Sequence, residues 1–178
     1  YKTLDAAAKD IFSVSKAVGE ANTYVNSEAE SSKPYITSGQ HVYSRTGTMG
    51  WKVSAIRTTV EGTSFTMQTG KRNLKLHSKL IGEHLVGSLA LCVALAAELG
   101  LNDAQIIAGV AQTEPFEHRM QPRPLAGGWV IDDTYNGNLE GARAGLELLK
   151  GLKARRKIYV TPGLVEQGKE SERVHKEL

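Results

Sequence analysis

A run of alternating apolar and polar residues between His41 and Leu80 constrains the fold more than any other feature of the sequence. Within it, apolar residues at 51, 53 and 55 are separated by Lys52 and Ser54. Turn-forming residues interrupt the alternation at Glu61-Gly62 and at 70–73. Because side chains of a strand point to opposite faces in turn, this pattern predicts a small antiparallel meander.

Helical periodicity brackets the meander on both sides. Apolar residues recur at helical spacing over 4–18, and the span 85–99 is apolar along most of its length. Gly100 is placed to end that second helix. Asn102 then opens a third helix, and Gln105 lies three residues later in the capping-box position.

Two short segments lie between the first helix and the meander. Tyr24-Val25 predicts a brief strand. The residues after it are polar and loop-like, and Pro34-Tyr35-Ile36 predicts a return to extended backbone.

The third part of the chain begins after a proline-rich stretch. Residues 113–124 contain three prolines and predict a domain boundary. Beyond them the pattern predicts a strand at 129–131, a helix at 139–149, a strand at 157–160 and a helix from Lys169. Alternating strands and helices are typical of a doubly wound parallel sheet, so we expect the two strands to be parallel.

Composition and charge exclude several classes of protein. The net charge is +3, from 22 basic and 19 acidic residues that are well mixed, which argues against a nucleic-acid partner. Apolar runs are too short to span a membrane, and no secretory signal opens the chain. The single cysteine, Cys92, rules out an internal disulfide and is expected to be buried within its helix. The chain lacks an initiator methionine, and we expect a piece of a longer cytoplasmic protein.

The run 130–138 carries the strongest chemical signal. A predicted strand ends in Asp132 and Asp133, and a Tyr-Asn-Gly-Asn turn then leads into a helix. Ligands of open α/β sheets bind beyond the carboxyl ends of strands, where an aspartate can accept hydrogen bonds from a ribose diol. A turn followed by a helix N-cap explains the same residues equally well.

Three weaker signals stand elsewhere. Gly82-Glu83-His84 enters a helix where an anion could bind, although a capping histidine is the simpler interpretation. Arg119, at the predicted boundary, could clamp a phosphate or form an interdomain salt bridge. Lys9, on the first helix, would by itself be interpreted as a solvated side chain.

The order and separation of these motifs resemble the Mur ligases. The similarity extends over essentially the whole chain, and the Asp-Asp-Thr-Tyr-Asn-Gly-Asn motif is its most specific part. The matching segments are 6–9 with Tyr1, 62–66, 82–84, 118–120, 131–138 and 166–168 with Ser171 and His175. The resemblance implies an α/β fold in which 1–118 is the C-terminal portion of the central ATPase domain. Residues 119–178 would begin a Rossmann-like C-terminal domain.

The resemblance also implies an activity. An ATP- and Mg²⁺-dependent ligase of this kind phosphorylates a substrate carboxylate, and an amine then attacks the acyl phosphate to form an amide. The motif at 132–138 is characteristic of the branch that adds D-Ala-D-Ala to UDP-MurNAc-tripeptide in peptidoglycan synthesis. We therefore expect a cytoplasmic monomer with those two substrates, no nucleic-acid partner and no membrane contact. The chain alone is expected to be inactive.

Individual residues acquire expected roles from the same resemblance. Lys9 would be carbamylated and would contact Mg²⁺, which prefers oxygen ligands. Arg119 would be catalytic and would reach the ATP phosphates. His84 and Asp133 would bind the nucleotide, with Asp133 on the ribose. The dipeptide and nucleotide would be handled by Tyr135, Asn136 and Asn138.

The sequence departs from the family pattern at three points. Leu85 and Ser88 stand where the family has asparagines, and Leu85 cannot hydrogen-bond adenine. No phosphate-binding loop of the Gly-x-x-Gly-Lys-(Thr/Ser) kind occurs in the sequence. Three alternatives stay open: a folylpolyglutamate- or cyanophycin-type ligase, a non-catalytic homologue that binds cell-wall precursors or partners, and an unrelated α/β domain.

Overall fold

The computed structural model describes residues 3–165 and 167–177, so the predictions that involve Tyr1 and Glu166 lie outside the described residues. The fold is α/β, as the sequence predicts. The helices are α1 (Leu4–Val18), α2 (Val86–Glu98), α3 (Asp103–Ala111), α4 (Leu139–Gly151) and α5 (Ser171–Glu177). The strands are β1 (Tyr24–Asn26), β2 (His41–Ser44), β3 (Gly47–Thr48), β4 (Trp51–Thr59), β5 (Gly62–Thr69), β6 (Arg72–Ser78), β7 (Gln121–Leu125) and β8 (Gly128–Asp132).

The first six strands form one mixed sheet in the order of the chain. β1 runs parallel to β2, and each later neighbour is antiparallel. Pairing of β4 with β5 is interrupted between Ser54 and Arg57, where Ala55 has a φ of 52°. This β-bulge bends the longest strand of the sheet. The predicted meander is therefore confirmed, with one irregularity that the alternation does not indicate.

Alternation in the sheet produces the main hydrophobic core. On β6, Leu74 and Leu76 are buried while Asn73 and Lys75 are exposed. The buried faces of β5 and β6 pack against α2 and α3. Removing this apolar area from water is the main stabilising contribution to the fold. The cluster consists of Trp51, Phe65, Met67, Leu74, Leu76, Val86, Leu89, Ala90, Val93, Ala94, Ile106 and Val110.

Helix boundaries follow the capping residues that the sequence contains. Gly100 adopts a φ of 88° directly after α2, a conformation that glycine tolerates without steric cost. Asn102 accepts a hydrogen bond from the Gln105 backbone, and the Gln105 side chain returns one to Asn102. The predicted capping box of α3 is confirmed. Among the described residues, no helix has both the length and the apolar character needed to cross a membrane.

Cys92 is exposed, and the prediction that it is buried is wrong. The buried residues of α2 fall at 86, 87, 89, 90, 93 and 94, which share one side of the helix. Residue 92 lies on the other side, because successive positions are separated by about 100° around the axis.

The predicted extended stretch at Pro34-Tyr35-Ile36 is also wrong in its first two residues. A 3-10 helix occupies Glu30–Tyr35, and only Ile36 returns to extended backbone. The Tyr35 ring stacks on Phe12 at a centroid distance of 4.9 Å, which places this segment against α1.

Parallel pairing of 129–131 with 157–160 is not found in the part of the chain that the structure describes. β8 instead pairs with β7 in an antiparallel hairpin, and residues 157–160 form no strand. Pro122 and Pro124 belong to β7, which is compatible with an edge strand because proline has no N–H to donate. Without a neighbouring strand to satisfy its backbone, the apolar segment 157–160 stays exposed.

A small apolar cluster joins the two sides of the predicted boundary at 118/119. Ile81, which is fully buried, packs with Met120 and Leu148, and Ile131 and Leu152 lie against them. This cluster fixes the segment before α2 next to the hairpin and α4. The candidate site lies along this contact.

Candidate functional site

Arg119 lies in a turn with unusual backbone geometry. The residues on either side of it, His118 and Met120, have φ angles of 60° and 45°. Left-handed conformations cost a non-glycine residue roughly 1–2 kcal/mol each, so other interactions must compensate for them. The Arg119 N–H donates to the Phe116 carbonyl at 3.0 Å.

The two aspartates at the end of β8 supply that compensation. Asp132 accepts hydrogen bonds from His118 Nδ1 at 2.9 Å and from the Thr134 hydroxyl at 2.7 Å. Asp133 Oδ1 accepts one from the Met120 N–H at 3.1 Å. Each aspartate therefore holds one of the two left-handed residues that flank Arg119.

Asp132 is the more heavily bonded of the pair. Besides His118 and Thr134, it pairs with Arg123 Nη2 at 3.0 Å. The Thr134 hydroxyl, followed by His118, holds the pKa of Asp132 below its ordinary value. The carboxylate is ionised at neutral pH and acts as an acceptor for the turn 118–120, which we call the hinge. The sequence did not mark Asp132 for this role, and only the spacing of its partners in the fold reveals it.

The Arg119 guanidinium stacks on the Tyr135 ring, with Cζ 4.5 Å from the ring centroid. The Tyr135 N–H donates to the His118 carbonyl at 3.2 Å, which ties the two turns together. Within the described residues, no carboxylate forms an ion pair with Arg119. Because no described carboxylate pairs with the guanidinium, its N–H groups are available for an anion.

His84 lies on the short 3-10 turn Glu83–Leu85 that leads into α2. Its ring packs so closely on Gly82 that a Cβ there would lie 2.5 Å from His84 Cε1. Gly82 has a φ of 127°, and its N–H donates to the buried Thr63 hydroxyl at 3.2 Å. These contacts require a glycine at this position and fix the start of the turn.

The electrostatic surroundings of His84 include residues from distant parts of the chain. Desolvation lowers the pKa of His84 below its ordinary value. The negative charge of Asp133 acts in the opposite direction, and the Arg45 guanidinium adds to the lowering. The structure thus brings His84 within electrostatic range of Asp133.

Arg45 is a neighbour of the site that sequence reasoning missed. Its Nε donates to Glu28 at 2.8 Å, and its Nη1 lies 3.9 Å from Glu83. The backbone at Arg45 packs on the first turn of α2, where a Cβ on Gly87 would lie 3.3 Å from the Arg45 nitrogen. No motif or periodicity in the sequence marks this arginine, because its partners are distant along the chain.

The two asparagines of the 135–138 turn have different surroundings. Asn138 caps α4, since its Oδ1 accepts a hydrogen bond from the Gly141 N–H at 2.8 Å. Asn136 is exposed and has no hydrogen bond within the described part of the chain. The capping interpretation of this turn therefore holds for Asn138, while Asn136 is free to meet a ligand.

Lys9 lies apart from this group. It is exposed on α1, which packs on the 3-10 segments on either side of β1. Neither a hydrogen bond nor an ion pair joins it to the hinge residues that the structure describes. A groove of about 310 Å³ runs along the other side of α1, lined by residues that include Phe12, Tyr24 and Tyr43. Between residues 3 and 177, Glu166 apart, no three His, Cys, Asp or Glu side chains form a group that could hold a metal.

Comparison with known proteins gives this geometry a context. No family model matches the sequence. The chain is 31% identical over 121 residues to the UDP-N-acetylmuramoyl-tripeptide–D-alanyl-D-alanine ligase of Escherichia coli, an alignment that covers 67% of this chain and 26% of that protein. The Haemophilus influenzae protein of the same name is 29% identical over 124 residues, covering 69% and 27%. The chain belongs to the Mur ligase family.

Solved Mur ligase structures have the same fold. MurF from Acinetobacter baumannii superimposes with a TM-score of 0.73 at 23% identity, over 86% of this chain and 34% of that one. MurF from Thermotoga maritima, solved in complex with ADP, gives a TM-score of 0.56 at 19% identity, over 78% and 32%. The chain thus spans about a quarter of the length of the curated relatives it matches.

Proposed function

We propose that this chain serves an ATP-dependent ligase that joins D-Ala-D-Ala to UDP-MurNAc-tripeptide during cytoplasmic synthesis of peptidoglycan precursors. The relatives from Escherichia coli and Haemophilus influenzae carry the name of that reaction. The observation that carries the proposal is Arg119, an arginine without an ion pair among the described residues, whose neighbour Met120 is bonded to Asp133 directly after β8. A phosphate donor and a ribose acceptor side by side are what nucleotide binding requires.

In this proposal, different residues contact the phosphates and the ribose of the nucleotide. Arg119 binds phosphate oxygens, and Asp133 has a second carboxylate oxygen available for the ribose diol after Oδ1 accepts from Met120. His84, held neutral by desolvation, contributes a hydrogen-bonding imidazole rather than a charge. The incoming dipeptide faces Tyr135, Asn136 and the start of α4, which Asn138 caps. Stabilising and positioning the transferred phosphoryl group is the main catalytic contribution in reactions of this type.

Mg²⁺ and Lys9 belong to the same proposal. If the Lys9 amine attacks CO₂, an N–C bond forms, a proton is released, and the product is a carbamate with two oxygen ligands. Mg²⁺ is usually held by one or two such carboxylates together with substrate phosphates and waters, so a single ligand from this chain is compatible with a metal site. The exposure of Lys9 leaves its amine accessible to CO₂.

An ADP-release assay tests the proposed function. The complete protein that contains this chain is supplied with ATP, Mg²⁺, UDP-MurNAc-tripeptide and D-Ala-D-Ala. We expect ADP release that needs both substrates, and a loss of roughly 10²-fold or more in Arg119→Ala and Lys9→Ala, because charge stabilisation of the phosphoryl group is lost. Arg57→Ala, a change at an exposed arginine of β4, serves as the matched control and keeps full activity. Turnover with another amine such as glutamate, and none with D-Ala-D-Ala, would identify a different ligase of the same fold.

A second candidate function is binding of cell-wall precursors without turnover. Two replacements in the family motif favour this candidate. Leu85 and Ser88 stand where the family has asparagines, and the Leu85 side chain cannot hydrogen-bond a base. This candidate predicts saturable binding of UDP-MurNAc-tripeptide together with no ADP release under any substrate combination. ADP release above the ATP-only background rules it out.

A further inference from the structure

We propose that Tyr135 and His118 are positioning residues for Arg119, which together aim its guanidinium at the phosphates of a nucleotide. The inference rests on the proposed phosphate-binding role of Arg119. It assigns Tyr135 a task other than contact with the incoming dipeptide. It also gives His118, which has no assigned role, a function in the site.

The geometry of the stack is the first part of the argument. With Cζ 4.5 Å from the ring centroid, the guanidinium lies over the face of Tyr135. An arginine over a ring is attracted to its π-face, and no carboxylate of the described residues forms an ion pair with the Arg119 N–H donors. The Tyr135 ring therefore restricts the rotamers of a long side chain without consuming any of the donors that a phosphate would use. An ordinary salt bridge would consume them.

Backbone restraint is the second part. Arg119 is the central residue of three, and both neighbours are in left-handed conformations. The His118 ring is bonded to Asp132, and the Met120 N–H is bonded to Asp133. Met120 is also buried in the apolar cluster with Ile81 and Leu148. Strain that is compensated on both sides fixes the direction in which the Arg119 side chain leaves the backbone.

The exposure of Tyr135 is the third part. Two-thirds of this residue is accessible, at 66%, and it belongs to none of the buried clusters. The fold does not need the ring for packing, so its contact with Arg119 is its principal one. Replacing it is consequently a clean test, because the hinge should keep its structure.

Two measurements test the proposal on the complete protein that contains this chain. The first is the affinity for ADP and for adenosine by calorimetry, in Tyr135→Ala, Tyr135→Phe, Arg119→Ala and the Tyr135→Ala/Arg119→Ala double variant. Losing the stack should weaken ADP binding about 2- to 5-fold, the range of an exposed cation–π contact, and leave adenosine binding unchanged. Tyr135→Phe should bind ADP normally, since it keeps the ring. Tyr159→Ala, at an exposed tyrosine outside the segments 118–120 and 132–138, is the matched control.

The second measurement needs no nucleotide. The Arg119 Nε–H resonance should be shifted upfield by the Tyr135 ring current, and the shift should vanish in Tyr135→Ala but persist in Tyr135→Phe. His118→Gly adopts the left-handed backbone freely but cannot bond to Asp132, so we expect it to reduce the ring-current shift and to weaken ADP binding. Unchanged values in His118→Gly would remove His118 from the proposal.

The outcomes separate this inference from the proposed function. Coupling is the decisive quantity: Tyr135→Ala should have no further effect on ADP affinity once Arg119 is alanine. An equal effect in both backgrounds would overturn the proposal, because Tyr135 would then contact the nucleotide itself. If the ring-current shift is observed in the unaltered protein but Arg119→Ala binds ADP with unchanged affinity, the stack exists and the phosphate role of Arg119 is refuted. Absence of the shift would refute the positioning role whatever the ligase assay gives.

Discussion

Two regions of this molecule use similar sequence patterns with opposite results. In the region 41–111, alternating apolar residues pair into a sheet and close on two helices, so that Leu76 is 2% exposed. In the region 121–177, the apolar segment 157–160 pairs with nothing that the structure describes, and Val160 is 88% exposed. The comparison teaches that apolar content becomes a strand only where another strand completes its hydrogen bonds.

The second region is held together by smaller contacts. One apolar cluster fixes its hairpin and α4 to Ile81, and another joins α4 to α5 through Ala142, Leu164 and Val174. Its loop 161–165 is fastened by His175, whose Nε2 accepts a hydrogen bond from the Leu164 N–H at 2.9 Å. The turn at 118–120 lies between a region with a large core and one that depends on a few specific bonds.

The largest expected effect is a difference in the free energy of unfolding between two substitutions to alanine, one in each region. Leu76→Ala should lower the free energy of unfolding by about 2–5 kcal/mol, because it removes buried apolar contacts and leaves a cavity. Val160→Ala should change it by less than about 0.5 kcal/mol, because the side chain is already in water. Urea unfolding followed by circular dichroism measures both. A loss in Val160→Ala comparable to that in Leu76→Ala would mean that 157–160 is packed in solution and would break the comparison.

Removing a helix cap in either region is expected to have an effect of intermediate size on stability. Asn102→Ala and Asn138→Ala each remove a side-chain acceptor from a helix start, and each should cost about 1 kcal/mol. Asn102 also takes part in a capping box with Gln105, so we expect its loss to be the larger of the two. Amide hydrogen exchange at the first turns of α3 and α4 reports where each helix frays. Equal protection of Gly141 in Asn138→Ala and in the unaltered chain would contradict the capping role.

The smallest expected effect concerns the acid stability of the hinge. Because the pKa of Asp132 is lower in the folded chain than its ordinary value of 3.8, its bonds to Thr134 and His118 stabilise the fold fully above that value. The contribution is lost as the pH falls through the lowered pKa. The stability difference between the unaltered chain and Asp132→Asn should therefore shrink between pH 5 and pH 2. Glu61→Gln, at an exposed carboxylate, is the control and should show little change. A difference that is constant with pH would exclude an ionised Asp132 as the acceptor.

Most of the local structure could be predicted from the sequence because its causes are local. The Asn102–Gln105 capping box, the glycine at 100 and the alternation of β6 each depend on residues within a few positions of one another. The candidate site was predictable in its members, Arg119, Asp133 and Tyr135, through the resemblance to Mur ligases. Their arrangement was not, since the stack of Arg119 on Tyr135 depends on two turns that meet only in the fold.

The sequence by itself determined approximately where the α-helices lie and which strand faces are apolar. These properties follow from steric preferences and hydrophobic period, which act over one or two turns of chain. The tertiary structure alone decided that β8 pairs with β7, that 157–160 forms no strand, and that Cys92 faces solvent. It also decided that Asp132 bonds to the His118 ring while Asp133 bonds to the Met120 backbone, so that the two aspartates restrain opposite sides of Arg119. Each of these outcomes depends on which distant segment supplies a hydrogen-bond partner or a packing surface, and no local pattern encodes that choice.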